Sequence, residues 1–213
     1  MKTRLLISLL CLFSIASQAQ FPAFSFGLRA APLISWMRPN TDKYEGDGAK
    51  LGFSWGFIAE KNFTENHSIA TGFSIHFIGG KLQFPQDTGT MSRNYSIKYF
   101  EVPVTLKMRT NPINGIRYFG QIGLGTGFRI GSKATDVFTA KNGSTITDPK
   151  SNYDNISFLR ESLILGIGGE YKLNGGPSLG GGLTFNNGFT DILTATKEKG
   201  SVNAIELNIF ILF

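Results

Sequence analysis

Cysteine is all but missing: the one that occurs, Cys11, lies in an apolar stretch close to the N-terminus. Once that stretch is removed, the chain has no disulfide framework and no thiolate to react. Long apolar runs are missing too, since nothing beyond residue 19 approaches the roughly 20 continuous apolar residues of a spanning helix. Charge is modest, with 21 Lys+Arg against 15 Asp+Glu in 213 residues, and the cations are scattered. A nucleic-acid partner is not expected, because that reading needs a basic stripe or patch. The sequence also has no zinc-ligand spacing, no phosphate-cradling glycine loop and no nucleophile elbow, so neither a cofactor nor enzyme activity is expected.

What the chain does have is 26 glycines and 19 phenylalanines. Glycine is a poor helix former, and bulky residues alternating with small ones read as strand. Period-two alternation predicts eight strands, over residues 24–36, 50–61, 68–78, 95–109, 117–130, 158–172, 178–189 and 202–213. Pro103 inside the fourth predicts a bulge or a local break in pairing. At the other end, Met1 to Ala19 has a basic start (Lys2, Arg4), an apolar stretch from Leu5 to Ile15 and the small-x-small site Ser17-Gln18-Ala19. This is the layout of a signal peptide. The expected organisation is a leader over 1–19 and one domain over 20–213, with the formal charge falling from +6 to +4 as Lys2 and Arg4 leave.

Links after the second, fourth and sixth strands are short (62–67, 110–116, 173–177). Those after the first, third, fifth and seventh are long (37–49, 79–94, 131–157, 190–201). A transmembrane barrel shows this alternation, and an even strand number puts both termini on the periplasmic side. The bulky face carries most of the Phe, Trp and Leu, while the opposite face is rich in glycine, among them Gly52, Gly123, Gly166 and Gly180. The interior of an eight-strand barrel is only just wide enough for side chains, so inward glycine makes room for long neighbours. The expected lumen cluster is Arg29, Glu60, Glu101, Lys107, Arg129, Glu170, Lys172 and Glu206, with both signs present so that desolvated charges can pair. The fold class is therefore all-β: an eight-stranded antiparallel up-and-down transmembrane β-barrel with a filled lumen. Trp36, Trp55, Tyr118, Tyr171 and Phe213 are expected at the membrane interfaces.

Phe26-Gly27-Leu28-Arg29-Ala30, Tyr99-Phe100-Glu101-Val102-Pro103-Val104, Asn187-Gly188-Phe189-Thr190-Asp191-Ile192 and the terminal Phe213 together give a chain that resembles the PorT-like outer-membrane β-barrel proteins of Bacteroidota. The resemblance covers essentially the whole chain after the leader. It implies the outer membrane of a Gram-negative bacterium, contact with outer-membrane lipid, and Phe213 as a signal read by the barrel insertion machinery. It also implies an accessory role in cell-envelope assembly or protein export, with envelope or secretion proteins as partners.

The residues themselves leave other roles open. One is a structural or surface-binding barrel that uses its long outer loops, above all 131–157. Less favoured are a small pore and a lipid A-modifying enzyme. The enzyme would draw on inward His76 and Glu101 with Ser74 near the outer rim. The blander account of His76 is a satisfied lumen residue, and of His67 a solvated turn residue.

Overall fold

A computed structural model describes residues 22–41, 44–150, 153–174, 176–194 and 199–213. The expected leader, residues 1–19, lies outside the described residues. The strands are β1 (Phe24–Pro39), β2 (Glu45–Asn62), β3 (His67–Gln86), β4 (Gly89–Arg109), β5 (Ile116–Ala140), β6 (Thr145–Lys150), β7 (Leu159–Lys172), β8 (Ser178–Gly188) and β9 (Gly200–Leu212). All pairings are antiparallel. The nine strands form one sheet in the order β4-β3-β2-β1-β9-β8-β7-β5-β6, and the additional β4–β5 pairing closes it. Because β6 pairs only with the far end of β5, eight strands make the ring and β6 stands outside it.

The expected up-and-down barrel is therefore present, with two corrections. There is a ninth strand, and most of the expected long loops are strand. β3 and β4 continue to a turn at residues 87–88, and β5 continues to Ala140 before turning back into β6. The other end has tight links. Asn114 (φ 52°) and Gly115 (φ 82°) sit between Ile113 and Ile116, which exchange both backbone hydrogen bonds. Two successive positive φ values make a type I′ turn, and Asn-Gly is the pair that tolerates it. We call this end, with residues 63–66, 110–115, 173–174 and 176–177, the turn end; the other is the hairpin end. Pro103 interrupts pairing as expected. The β3–β4 ladder lapses between Thr71↔Val104 and Ser74↔Glu101, but the register on either side is unchanged, so there is no bulge.

The barrel is inside-out relative to a soluble protein. Phe24, Leu28 and Ile167 are 56%, 60% and 66% exposed on the outer wall, whereas Arg160, Glu101 and Glu206 are 1%, 2% and 1% exposed in the lumen. On β3 the apolar outer band runs from Ile69 to Phe77. At about 3.3 Å per residue and about 40° of tilt this gives roughly 20 Å. On β1, Phe24 to Trp36 gives roughly 30 Å by the same arithmetic, bracketing the hydrocarbon height of an outer-membrane barrel. Phe26, Phe57, Phe73 and Phe100 form a run of stacked rings across β1 to β4, with ring centroids 6.0, 6.0 and 5.7 Å apart.

Beyond the band the pattern reverses. Outward positions become polar (Lys81, Gln83, Ser92, Asn94, Lys133), and a core of Leu33, Met37, Ile78, Leu82, Tyr95, Ile97, Tyr153, Ile156, Ile192 and Val202 fills the inside. The hairpin end is thus packed like a water-soluble domain standing on the membrane-spanning part.

Candidate functional site

Four layers fill the lumen. At the turn end, Lys107 binds Glu60 (2.8 Å) and Glu170, while Arg109 Nε binds Glu170 at 2.8 Å and its Nη2 binds Glu60. Two cations and two carboxylates alternate, and Arg109 also donates to Ser68 at 2.8 Å. The Phe119 and Phe210 rings cap this cage, with Lys107 Nζ 4.3 and 4.8 Å from their centroids. Glycine makes this possible: a Cβ at Gly180 would strike the Phe210 ring, and one at Gly168 would meet Phe119.

Past a cavity of about 60 Å³ lies the second polar layer. Arg29 Nη2 donates to Glu206 at 2.5 Å. His76 stands between Glu206 (3.3 Å) and Glu101 (3.5 Å), and Arg160 Nη1 donates to Glu101 at 2.9 Å. Ser54 bridges Arg29 and Glu206. Asn186 donates to Glu101 and accepts from Arg160 at 2.6 Å, and Arg160 also reaches the Val202 carbonyl. Charges this deeply buried persist only when paired and hydrogen-bonded. The apolar core of the hairpin end closes the lumen above.

Six of the eight expected cluster residues meet in these networks: Glu60, Lys107 and Glu170 in one, Arg29, Glu101 and Glu206 in the other. Arg129 and Lys172 do not. Arg129 lies one position before a register shift that bulges β5 opposite Lys98 and Tyr99, and it donates to Ser132 at 2.8 Å. Lys172 shares the inward phase of Glu170, but β7 ends there, leaving it exposed at the turn-end rim. The sequence reading missed Arg109, Arg160 and Asn186. Arg109 and Arg160 were visible in principle, since they keep the inward phase of Lys107 and Ser162. Phe213 sits exposed at the turn end, and its backbone exchanges hydrogen bonds with Phe26. His67 is exposed as expected but is the first residue of β3, just past the turn, with its ring against the Thr64 hydroxyl.

A second cluster clasps the hairpin end. Arg93 Nε and Nη2 donate to Asp136 at 2.5 and 2.9 Å, Lys150 from β6 reaches the same carboxylate at 2.7 Å, and Arg93 Nη1 donates to the Tyr153 hydroxyl at 2.7 Å. Burial alone would raise Asp136, but the hydrogen bonds and charges of Arg93 and Lys150 outweigh it and hold the carboxyl below its usual range. Burial likewise opposes the Arg93 charge, yet Asp136 and the facing tyrosines raise its pKa.

The outward apolar band, closed ring and charged lumen describe one known class of protein, and residues 17–194 match the outer membrane protein beta-barrel domain family. The chain belongs to that family. Among solved structures, this outer membrane β-barrel is similar to Neisserial surface protein A (14% identity, 89% of this chain and 96% of that one, TM-score 0.53). It is also similar to the attachment invasion locus protein Ail of Yersinia pestis (14%, 89% and 98%, TM-score 0.42) and to OprG from Pseudomonas aeruginosa (9%, 90% and 96%, TM-score 0.46). The likeness to the Neisserial protein is one of fold. A search of curated proteins gives no match. Family membership places the barrel in the outer membrane of a Gram-negative bacterium.

Proposed function

We propose that the protein is a closed, non-enzymatic barrel that holds a surface-binding sheet outside the cell, with the hairpin end outward and both termini in the periplasm. The observation that carries this reading is the hairpin end itself. There β3, β4, β5 and β6 continue past the apolar band as one sheet, backed by an apolar core and clasped by Arg93, Asp136 and Lys150. A mobile loop loses conformational entropy when it binds, and a preorganised sheet loses less. The lumen offers a substrate little access, since His76 is 1% exposed between two ion pairs. An accessory role in export, which the PorT-like resemblance implies, calls for a periplasmic face that engages cargo. Among the described residues, the turn end offers three short links for that.

Excising residues 138–146 and joining Val137 to Thr147 through Asn-Gly removes the tip of the β5–β6 hairpin between directly paired residues while leaving the clasp intact. The barrel should still insert, as judged by heat-modifiable gel mobility, and expressing cells should lose attachment to immobilised glycans and proteins that the parent retains. Unchanged attachment across the panel refutes the reading, as does a deletion strain that strands secreted proteins in its periplasm. Orientation is read separately by labelling an Ile146→Cys variant in intact cells with a membrane-impermeant maleimide.

A further inference from the structure

Four lysines lie on neighbouring strands around the place where the apolar band gives way to the hairpin end: Lys50 on β2, Lys81 on β3, Lys98 on β4 and Lys133 on β5, with Lys133 paired to Ser96 and Lys81 to Asn94, two and four residues past Lys98. On β4, Lys98 is the first outward position past Phe100, and its ammonium lies 5.3 Å from the centre of the Phe77 ring, at the end of the apolar run on β3. Among the described residues none of the four ion-pairs with a carboxylate; the salt bridges there belong to the lumen and the clasp. Asp47, nearby on β2, accepts from Ser92 instead. Lys81 is close enough for its like charge to act on Lys50.

Two irregularities of the wall open a space among these cations. The β2–β3 ladder lapses between Gly48↔Lys81 and Phe53↔Phe77, and the β4–β5 ladder shifts register between Lys98 and Tyr99. Such breaks re-aim side chains. Between them lies a cavity of about 350 Å³ whose lining includes Lys50, Lys98, Lys133, Ser96, Phe77 and Ile130. Lys50 runs across Gly79, where a Cβ would come within 3.3 Å of its Cδ, to donate to the Tyr95 carbonyl (3.2 Å) and to Ser96. The opposite wall differs at this height, presenting Glu161 on β7 and Asn187 on β8.

From this juxtaposition we propose that Lys50, Lys81, Lys98 and Lys133 form a binding site for the phosphate groups of a lipid in the leaflet around the hairpin end. The apolar walls take the first carbons of its chains. In the orientation proposed above that leaflet is the outer one and the lipid a phosphorylated glycolipid, and only this choice of leaflet rests on that reading. Cations at the membrane interface attract anionic headgroups, and a pocket that gathers several of them on one side of a barrel selects a lipid bearing more than one phosphate.

The test is native mass spectrometry of the full barrel in neutral detergent, titrated with diphosphoryl lipid A, monophosphoryl lipid A, phosphatidylglycerol or inorganic phosphate. One diphosphoryl lipid A should be retained, with weaker retention of the monophosphoryl form. The combined Lys50→Gln, Lys98→Gln and Lys133→Gln variant should bind at least tenfold more weakly. The exposed pair Lys98→Gln and Lys133→Gln gives a second, milder variant expected to lose at least threefold, and Lys61→Gln with Lys141→Gln should change nothing. Equal binding by the lysine variants, equal retention of both lipid A forms, or displacement by inorganic phosphate at the same concentration would overturn the site. Retention of phosphatidylglycerol in place of lipid A would overturn the lipid assignment, while labelling at position 146 reports orientation independently.

Discussion

Replacing Arg160 by Met tests how the lumen is held together. The guanidinium is 1% exposed and donates to Glu101 at 2.9 Å, Asn186 at 2.6 Å and the Val202 carbonyl at 3.1 Å. Methionine keeps much of the volume but supplies no donor. It leaves the Glu101 carboxylate, 2% exposed, facing only Asn186 and a histidine 3.5 Å away. Removing one partner of a buried pair costs about 3–5 kcal/mol, which is roughly two to nearly four powers of ten in the unfolding constant. Guanidinium unfolding in detergent, followed by the fluorescence of Trp36 and Trp55 and by heat-modifiable mobility, measures the loss. Replacing Glu101 by Met as well should restore part of it, because the stranded charge goes too; a coupling of about 1–3 kcal/mol is expected for residues in contact. A single-variant cost below about 1 kcal/mol, or strictly additive costs, would mean that the pair carries no net weight and that the layer stands on packing alone.

Gly180→Ala should destabilise the barrel by about 1–3 kcal/mol through overpacking, and Phe210→Leu in the same chain should recover much of that, measured by the same unfolding assay. Because the folded pKa of Asp136 is lowered from its ordinary 3.8, the clasp's contribution should be complete above about pH 4 and lost as pH falls below it. Protection factors of the amides in residues 131–140, which remove the intrinsic pH dependence of exchange, should therefore fall at pH 3 relative to pH 6, and Asp136→Asn should abolish the difference. In planar bilayers the parent should show no stable large conductance, whereas Phe119→Ala with Phe210→Ala removes the aromatic seal and should raise leakage; a large steady current through the parent would refute the closed lumen.

The sequence made the spanning part legible because a strand there faces lipid on one side and a narrow lumen on the other, so bulk and smallness alternate with period two. Above the membrane the period persists but its phase reverses. On β3 the apolar positions shift from outward Phe73, Ile75 and Phe77 to inward Ile78, Leu82 and Phe84, and Gly79-Gly80 sits at the crossover. A reading that follows one face sees the pattern end there, which is why the hairpin-end extensions of β1 to β5 read as loops. β6 is nearly all exposed, so it carries no alternation to find. The lumen charges were legible wherever they lay inside a recognised strand. Arg109 and Arg160 lay at strand ends, where nothing local says that a ladder of partners continues across the barrel.

Arg29 belongs to the first strand and Glu206 to the last, 177 residues apart, and they meet across the seam where β1 pairs with β9. Until β9 arrives, Arg29 has no carboxylate, His76 lacks one of its two flanking acids, and the edge of β1 is unpaired. The middle of the barrel therefore cannot reach electrical neutrality in pieces, and a chain stalled short of its last dozen residues is left with an uncompensated cation inside a half-closed wall. The latch between the two ends of the chain makes charge neutrality a record of completed closure.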